Sequence, residues 1–214
     1  MEIVPSILTN SPDELREKIA LAEGVVKKIQ IDIVDGVFAG NKTVDPQSLE
    51  NVETNLKIDF HLMAKEPVSW VERCVRGGAE SVIGQVEKMG SQLDFVAKCQ
   101  EVGCQVGLAL DIDSPIEALD KEALADLDTV LIMSVKAGFG GQEFDSRAFK
   151  KIQALLKARE NDISPFRICV DGGVTKEIVP RLAALGVNEV VVGERIFEGD
   201  LLGNVSLFLA NIKP

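Results

Sequence analysis

The chain has 214 residues, 46% of them apolar, and 23 basic against 34 acidic side chains give it a net charge of −11. That is enough apolar material for one large core, and the acidic balance argues against a nucleic-acid footprint and against charge-driven binding to anionic membrane. The start MEIVPSIL lacks the basic residues and long apolar stretch of a secretory leader, and no apolar run approaches the ~20 residues of a membrane helix, so a cytoplasmic protein without membrane or nucleic-acid partners is expected.

The first β-rich apolar run is 2–7 (EIVPSI). Ser11 as N-cap, Pro12 in the first helical position and Glu14 as the closing residue of a capping box then predict a helix continuing through Glu14–Ala22. Strands are predicted at 28–33 and 57–62, a helix at Pro67–Arg76, a strand at 81–86 (SVIGQV), a helix at Ser91–Glu101 and a strand at 105–110 (QVGLAL). Beyond these come a helix at Pro115–Leu124, a strand at 129–134 (TVLIMS), a helix at Ser146–Arg159, a strand at 167–170, a helix at Lys176–Leu185 and a strand at 189–193 (EVVVG). Gly77, Gly103 and Gly186 stand where helices end. No linker or low-complexity tract divides the chain, which reads as a single domain over 1–214. Cys74, Cys99, Cys104 and Cys169 form no CxxC pair and read as reduced thiols in or near the core.

Strands alternating with helices imply parallel pairing through helical crossovers. Eight strands in a chain of this length predict an α/β fold of the (β/α)8 TIM-barrel type, with an open doubly wound sheet as the rival. The strand ends favour the barrel. Ser6, Asp32, His61, Glu87, Asp111, Ser134, Asp171 and Gly193-Glu194 all stand at C-terminal strand ends, and a closed barrel gathers such residues at one mouth.

The stretch Lys28–Gly36 (KIQIDIVDG) shows the chemistry most clearly. Alternation along a strand puts Gln30 and Asp32 on one face and Ile29, Ile31 and Ile33 on the other. A carboxylate at the mouth of a buried strand needs a partner. IDFHLM (58–63) and ICVDGG (168–173) have the same form and present His61, the one histidine of the chain, and Asp171. Each residue alone is a common strand-end cap. Together, two carboxylates and an imidazole suit a divalent ion such as Zn, Fe or Mn, whose charge would also offset the repulsion between the acids. The glycine-bearing loops MSVKAGFGGQ (133–142), DGG (171–173) and VVGERIF (191–197) follow the last three strands. Loops in those places offer backbone amides to a phosphate, although each glycine pair taken singly is an ordinary tight turn.

PSIL (5–8), DIVDGVF (32–38) with Asn41 and Thr43, DFHLM (59–63), MSVKAGFGGQ, VDGGV (170–174) and VVGERIF resemble, in order and spacing, the ribulose-phosphate 3-epimerase family. The resemblance runs from about residue 3 to residue 198. It implies a ribulose-phosphate-binding barrel that interconverts D-ribulose 5-phosphate and D-xylulose 5-phosphate, as a homo-oligomer. It also implies Asp32 and Asp171 as the acid/base pair, and Asp32, His61 and Asp171 as metal ligands, with Gln30 standing where the family has a further histidine ligand. Met63 and Met133 would line the reacting end and Ser6 would touch substrate. Gly138, Gly140, Gly141, Gly172, Gly173 and Gly193 would surround the phosphate, with Glu194 beside them. The chain departs from the family pattern at Gln30, Val34, Gln85, Lys136-Ala137 and Glu194. A carboxylate at 194 repels a phosphate unless it turns away or pairs with Arg195 or Lys136. The departures leave two other readings open: epimerisation of another sugar phosphate such as a hexulose 6-phosphate, and a barrel that binds a phosphorylated ligand without turning it over. Related decarboxylases and aldol-type synthases carry Asp-x-Lys on this strand, whereas residue 34 is Val.

Overall fold

Eight parallel strands, each paired with the next and the last with the first, close into a barrel. The structure is a computed structural model and describes residues 1–159 and 165–212. The strands are β1 (Glu2–Ile7), β2 (Lys28–Val34), β3 (Lys57–Met63), β4 (Ala79–Gln85), β5 (Gln105–Leu110), β6 (Thr129–Met133), β7 (Arg167–Asp171) and β8 (Glu189–Val192). All eight predicted strands are present, with ends shifted by two residues at most.

The helices are α1 (Pro12–Ala22), α2 (Val71–Arg76), α3 (Gln92–Val102), α4 (Lys121–Leu124), α5 (Arg147–Ala158), α6 (Val179–Ala184) and α7 (Leu201–Ala210). Between β2 and β3 the crossover holds only a 3-10 turn, Pro46–Leu49. The helix predicted at Pro67–Arg76 begins as a 3-10 turn before becoming α2, and the one predicted at Pro115–Leu124 is a 3-10 turn followed by the short α4. α6 starts three residues later than predicted because Pro180 fits only in the first turn of a helix. The capping box at α1 is half-formed. Glu14 N donates to Ser11 Oγ at 3.3 Å, but Ser11 N has its acceptor in Thr9 Oγ1 at 3.1 Å. The Glu14 carboxylate instead accepts from the Thr9 hydroxyl and from Lys18.

Two apolar layers follow from strand alternation. Ile29, Ile31, Ile33, Phe60 and Leu62 face outward and are buried against the helices. Val4, Ile83, Leu131, Met133, Cys169 and Val191 fill the barrel interior. Each such side chain contributes roughly 1.5–3 kcal/mol by leaving water. The N-terminal end of the barrel is closed by charge. Lys28 Nζ lies 3.0 Å from Asp59 and 3.0 Å from Glu189, and Arg167 reaches Glu189 at 2.5 Å. Among the described residues, no helix is long and apolar enough to cross a membrane.

Candidate active site

The in-register pairing of β2 with β3 sets Asp32 beside His61, and that of β6 with β7 sets Met133 beside Asp171. These side chains meet at the C-terminal mouth of the barrel. His61 Nδ1 lies 3.2 Å from Asp32 Oδ1 and 3.7 Å from Asp171 Oδ2. Gln30, one inward position below Asp32, is 1% exposed. Its Nε2 donates to Asp32 Oδ1 at 2.8 Å and to Asp171 Oδ2 at 2.8 Å. One amide nitrogen therefore bridges acids from strands on opposite sides of the interior.

The other nitrogen of His61 faces Gln85, 3.2 Å away. With the Gln85 oxygen toward the ring, its nitrogen donates to Glu87 Oε2 at 2.7 Å and to the Ala109 carbonyl at 3.1 Å, so every polar atom is matched. The reverse orientation would turn that oxygen toward acceptors only. Glu87 is anchored in turn by the Asp111 amide at 2.7 Å. The relay fixes the proton on His61 Nε2 and leaves Nδ1 facing two carboxylates. That position calls for positive charge, either a proton or a cation.

The titration of the group reflects the same crowding. Burial alone pulls the His61 imidazole down, but its bond to Asp32 and the charges of Asp32, Asp171 and Glu87 outweigh burial and hold it above its ordinary value. Burial, and then the neighbouring charge of Asp32, push the Asp171 carboxyl up to about 6, with His61 and Gln30 working against the rise.

A metal ion fits this donor set. One ligand atom from each of Asp32, His61 and Asp171 lies within 4.8 Å of the others, and all three residues are buried. The two Nδ1–carboxylate separations, 3.2 and 3.7 Å, bracket the ligand spacing of a small tetrahedral ion, ~3.4 Å. Two carboxylates and an imidazole suit Zn, Fe or Mn. Gln30 turns its nitrogen, not its oxygen, toward the acids and does not act as a ligand in this orientation.

Above the cluster opens a cavity of about 520 Å³. Ser6, Met63, Met133, Gly138, Gly140, Gly141, Gly172, Gly173, Gly193 and Glu194 line it with Asp32, His61 and Asp171, while Gln30 lies beneath. A larger groove, about 1190 Å³, lies at the opposite end of the barrel, away from the acids. Two glycines of the mouth are required by their surroundings. At Gly138, φ +108°, a Cβ would stand 2.5 Å from the Ala39 Cβ, and at Gly173, φ +57°, it would strike the Phe144 backbone. Asn41 Nδ2 donates to the Gly138 carbonyl at 3.0 Å and ties the loop after β2 to the glycine loop. Of the strand-end residues predicted to share the mouth, Glu87, Asp111 and Ser134 do not line the cavity: the first two are spent on the relay behind His61, and the Ser134 hydroxyl donates to the Gly172 carbonyl.

Glu194 pairs with neither Arg195 nor Lys136 but with Lys18 of α1, at 2.5 Å. Lys18 is bound on its other side by Glu14 at 2.7 Å. The sequence carries a trace of this. Leu15, Lys18, Ile19 and Ala22 form the buried stripe of α1, so one lysine stands on an apolar face.

Comparison with known proteins gives concordant results. The model of the family described as "Ribulose-phosphate 3 epimerase family" matches residues 2–197. The ribulose-phosphate 3-epimerase of Bacillus subtilis (strain 168) is 32% identical over 201 residues, covering 92% of this chain and 92% of that protein. The one from Synechocystis sp. is 34% identical over 201 residues, covering 91% of this chain and 86% of that protein. Among solved structures, KGPDC from Streptococcus mutans in complex with D-R5P superposes with a TM-score of 0.72 at 15% identity, over 99% of this chain and 97% of that one. The 3-hexulose-6-phosphate synthase of Salmonella typhimurium gives 0.70 at 17%, over 99% and 98%. At such identities these two share the fold alone with this chain.

Proposed function

As this chain belongs to the ribulose-phosphate 3-epimerase family, we propose that it interconverts D-ribulose 5-phosphate and D-xylulose 5-phosphate by inverting C3. The observation that carries the proposal is the meeting of Asp32, His61 and Asp171 in one buried group at the floor of a single cavity.

A C–H next to a ketone is a weak acid, so inversion needs a base on one face, an acid on the other and charge stabilisation between them. Asp32 and Asp171 fill the first two roles, one carboxylate removing the C3 proton and the other delivering one to the opposite face. The burial that raises Asp171 to about 6 improves it as a base near neutrality. Met63, Met133 and Ser6 line the cavity; in this reading the two methionines keep the reacting carbon out of water and Ser6 bonds a substrate hydroxyl. A divalent Zn, Fe or Mn ion held by Asp32, His61 and Asp171 supplies, when bound, Lewis-acid stabilisation of the charge on the substrate oxygens. Gly138, Gly140, Gly141, Gly172, Gly173 and Gly193 surround the phosphate through backbone amides, with Glu194 at the rim. We further read the chain as a cytoplasmic, single-domain protein that works as a homo-oligomer.

The test is NMR of the purified protein with D-ribulose 5-phosphate in D2O and added Mn, Fe or Zn. Conversion to the xylulose epimer with deuterium at C3, lost in Asp171→Asn, is expected. Neither conversion nor exchange with any of these metals would favour a barrel that binds a phosphorylated ligand without turnover, the reading toward which Gln30 and Glu194 lean. Conversion of a hexulose 6-phosphate alone would keep the chemistry and change the substrate.

A further inference from the structure

Gln30 occupies an unusual place. It is 1% exposed, and the two hydrogens of its amide are directed at oxygens of both acids, 2.8 Å each. The same two oxygens lie 3.2 and 3.7 Å from His61 Nδ1, and their residues, with His61, form the group that could hold a metal. A cation bound there would meet the positive end of the amide dipole, and the N–H groups would compete for the lone pairs that the cation needs. Turning the amide over reverses both effects. The carbonyl oxygen then faces the cation as a neutral fourth ligand of the hard type that carboxylate-rich sites accept. Without a cation, the flipped amide would set a third oxygen against two carboxylates.

We propose that Gln30 is a positioning residue with two settings. With its nitrogen inward it clamps Asp32 to Asp171 and holds the acid pair together in the metal-free protein. With its oxygen inward it completes the metal site. The clamp makes the metal-free barrel self-sufficient, and breaking it on loading lowers the affinity for the ion. The chain thus binds its metal reversibly and keeps the acid pair aligned between occupancies. This rests on the metal-holding part of the function proposed above, but not on turnover.

Two measurements test it without an activity assay: the dissociation constant for Mn or Zn, by competition with a chromogenic chelator, and the melting temperature in EDTA. Replacing the clamp by a permanent ligand, Gln30→His, should tighten binding by at least tenfold, the scale on which supporting groups act at metal sites. Gln30→Leu, which removes both hydrogen bonds and supplies no ligand, should melt about 2–4 °C or more below wild type in EDTA. Adding metal should recover part of the loss. Equal affinities of Gln30→His and wild type, or no binding by either, would overturn the proposal, as would a Gln30→Leu protein melting with wild type in EDTA. A protein that binds metal as expected but epimerises no sugar would leave this inference standing and remove the proposed reaction.

Discussion

Asp171 carries a cost that its task explains. Its carboxyl is raised to about 6 by burial and by Asp32, against an ordinary value of 3.8. A carboxylate with a raised folded value leaves stability intact below pH ~4 and takes it away as the pH climbs through about 6. Metal-free Asp171→Asn should therefore be more stable than wild type at pH 7–8, by up to about 3 kcal/mol, with the gain vanishing near pH 4. Urea titrations at the two pH values check it. The same variant should lose interconversion, because one of the two proton carriers is gone. At the rim, Glu194 is 70% exposed and leans on Lys18, so its charge is partly screened. Glu194→Gln should lower KM for the phosphorylated substrate by roughly tenfold or less with kcat unchanged, Lys18→Met should raise it, and the double variant should fall back toward wild type. Asp32, His61 and Asp171 were legible in the sequence because each ends an apolar strand. The partner of Glu194 was not, since 176 residues separate it from Lys18.

Strands were easier to read than crossovers. β-rich runs such as TVLIM and EVVV, bounded by polar or turn residues, announce themselves by composition. α7 was missed because it is apolar all round: Leu201, Val205 and Phe208 are buried while Leu202, Leu207 and Leu209 are exposed, so no stripe marks its inner face. α4 shrank because its segment is divided, with a 3-10 turn at Ile116–Ala118 and α-helix only over Lys121–Leu124. In the loops, the glycines read as turn formers are also held by packing. Gly173→Ala would place a methyl against the Phe144 backbone at a left-handed φ and should cost about 1–3 kcal/mol. A lowered melting temperature together with a raised KM is expected.

The barrel divides its labour between its ends. The C-terminal mouth concentrates carboxylates under tension, and the N-terminal end locks the strands with the Lys28, Asp59, Glu189 and Arg167 network. Lys28 is the centre of that lock, so Lys28→Met leaves two buried acids with less compensation and should destabilise the fold by about 3–5 kcal/mol while sparing kcat where the protein remains folded. Closure brings β2 and β7 together across the interior, which no local pattern reveals. It was inferred from the count of eight strands and from polar residues recurring at their ends.

The central claim, that Asp32 and Asp171 serve opposite faces of one carbon, is tested most directly by removing them one at a time. Asp32→Asn and Asp171→Asn should each abolish interconversion. Each should still wash deuterium from D2O into C3 of one epimer, and the two variants should act on opposite epimers. Exchange of the same epimer by both variants, or interconversion sustained by a single remaining carboxylate, would contradict the account.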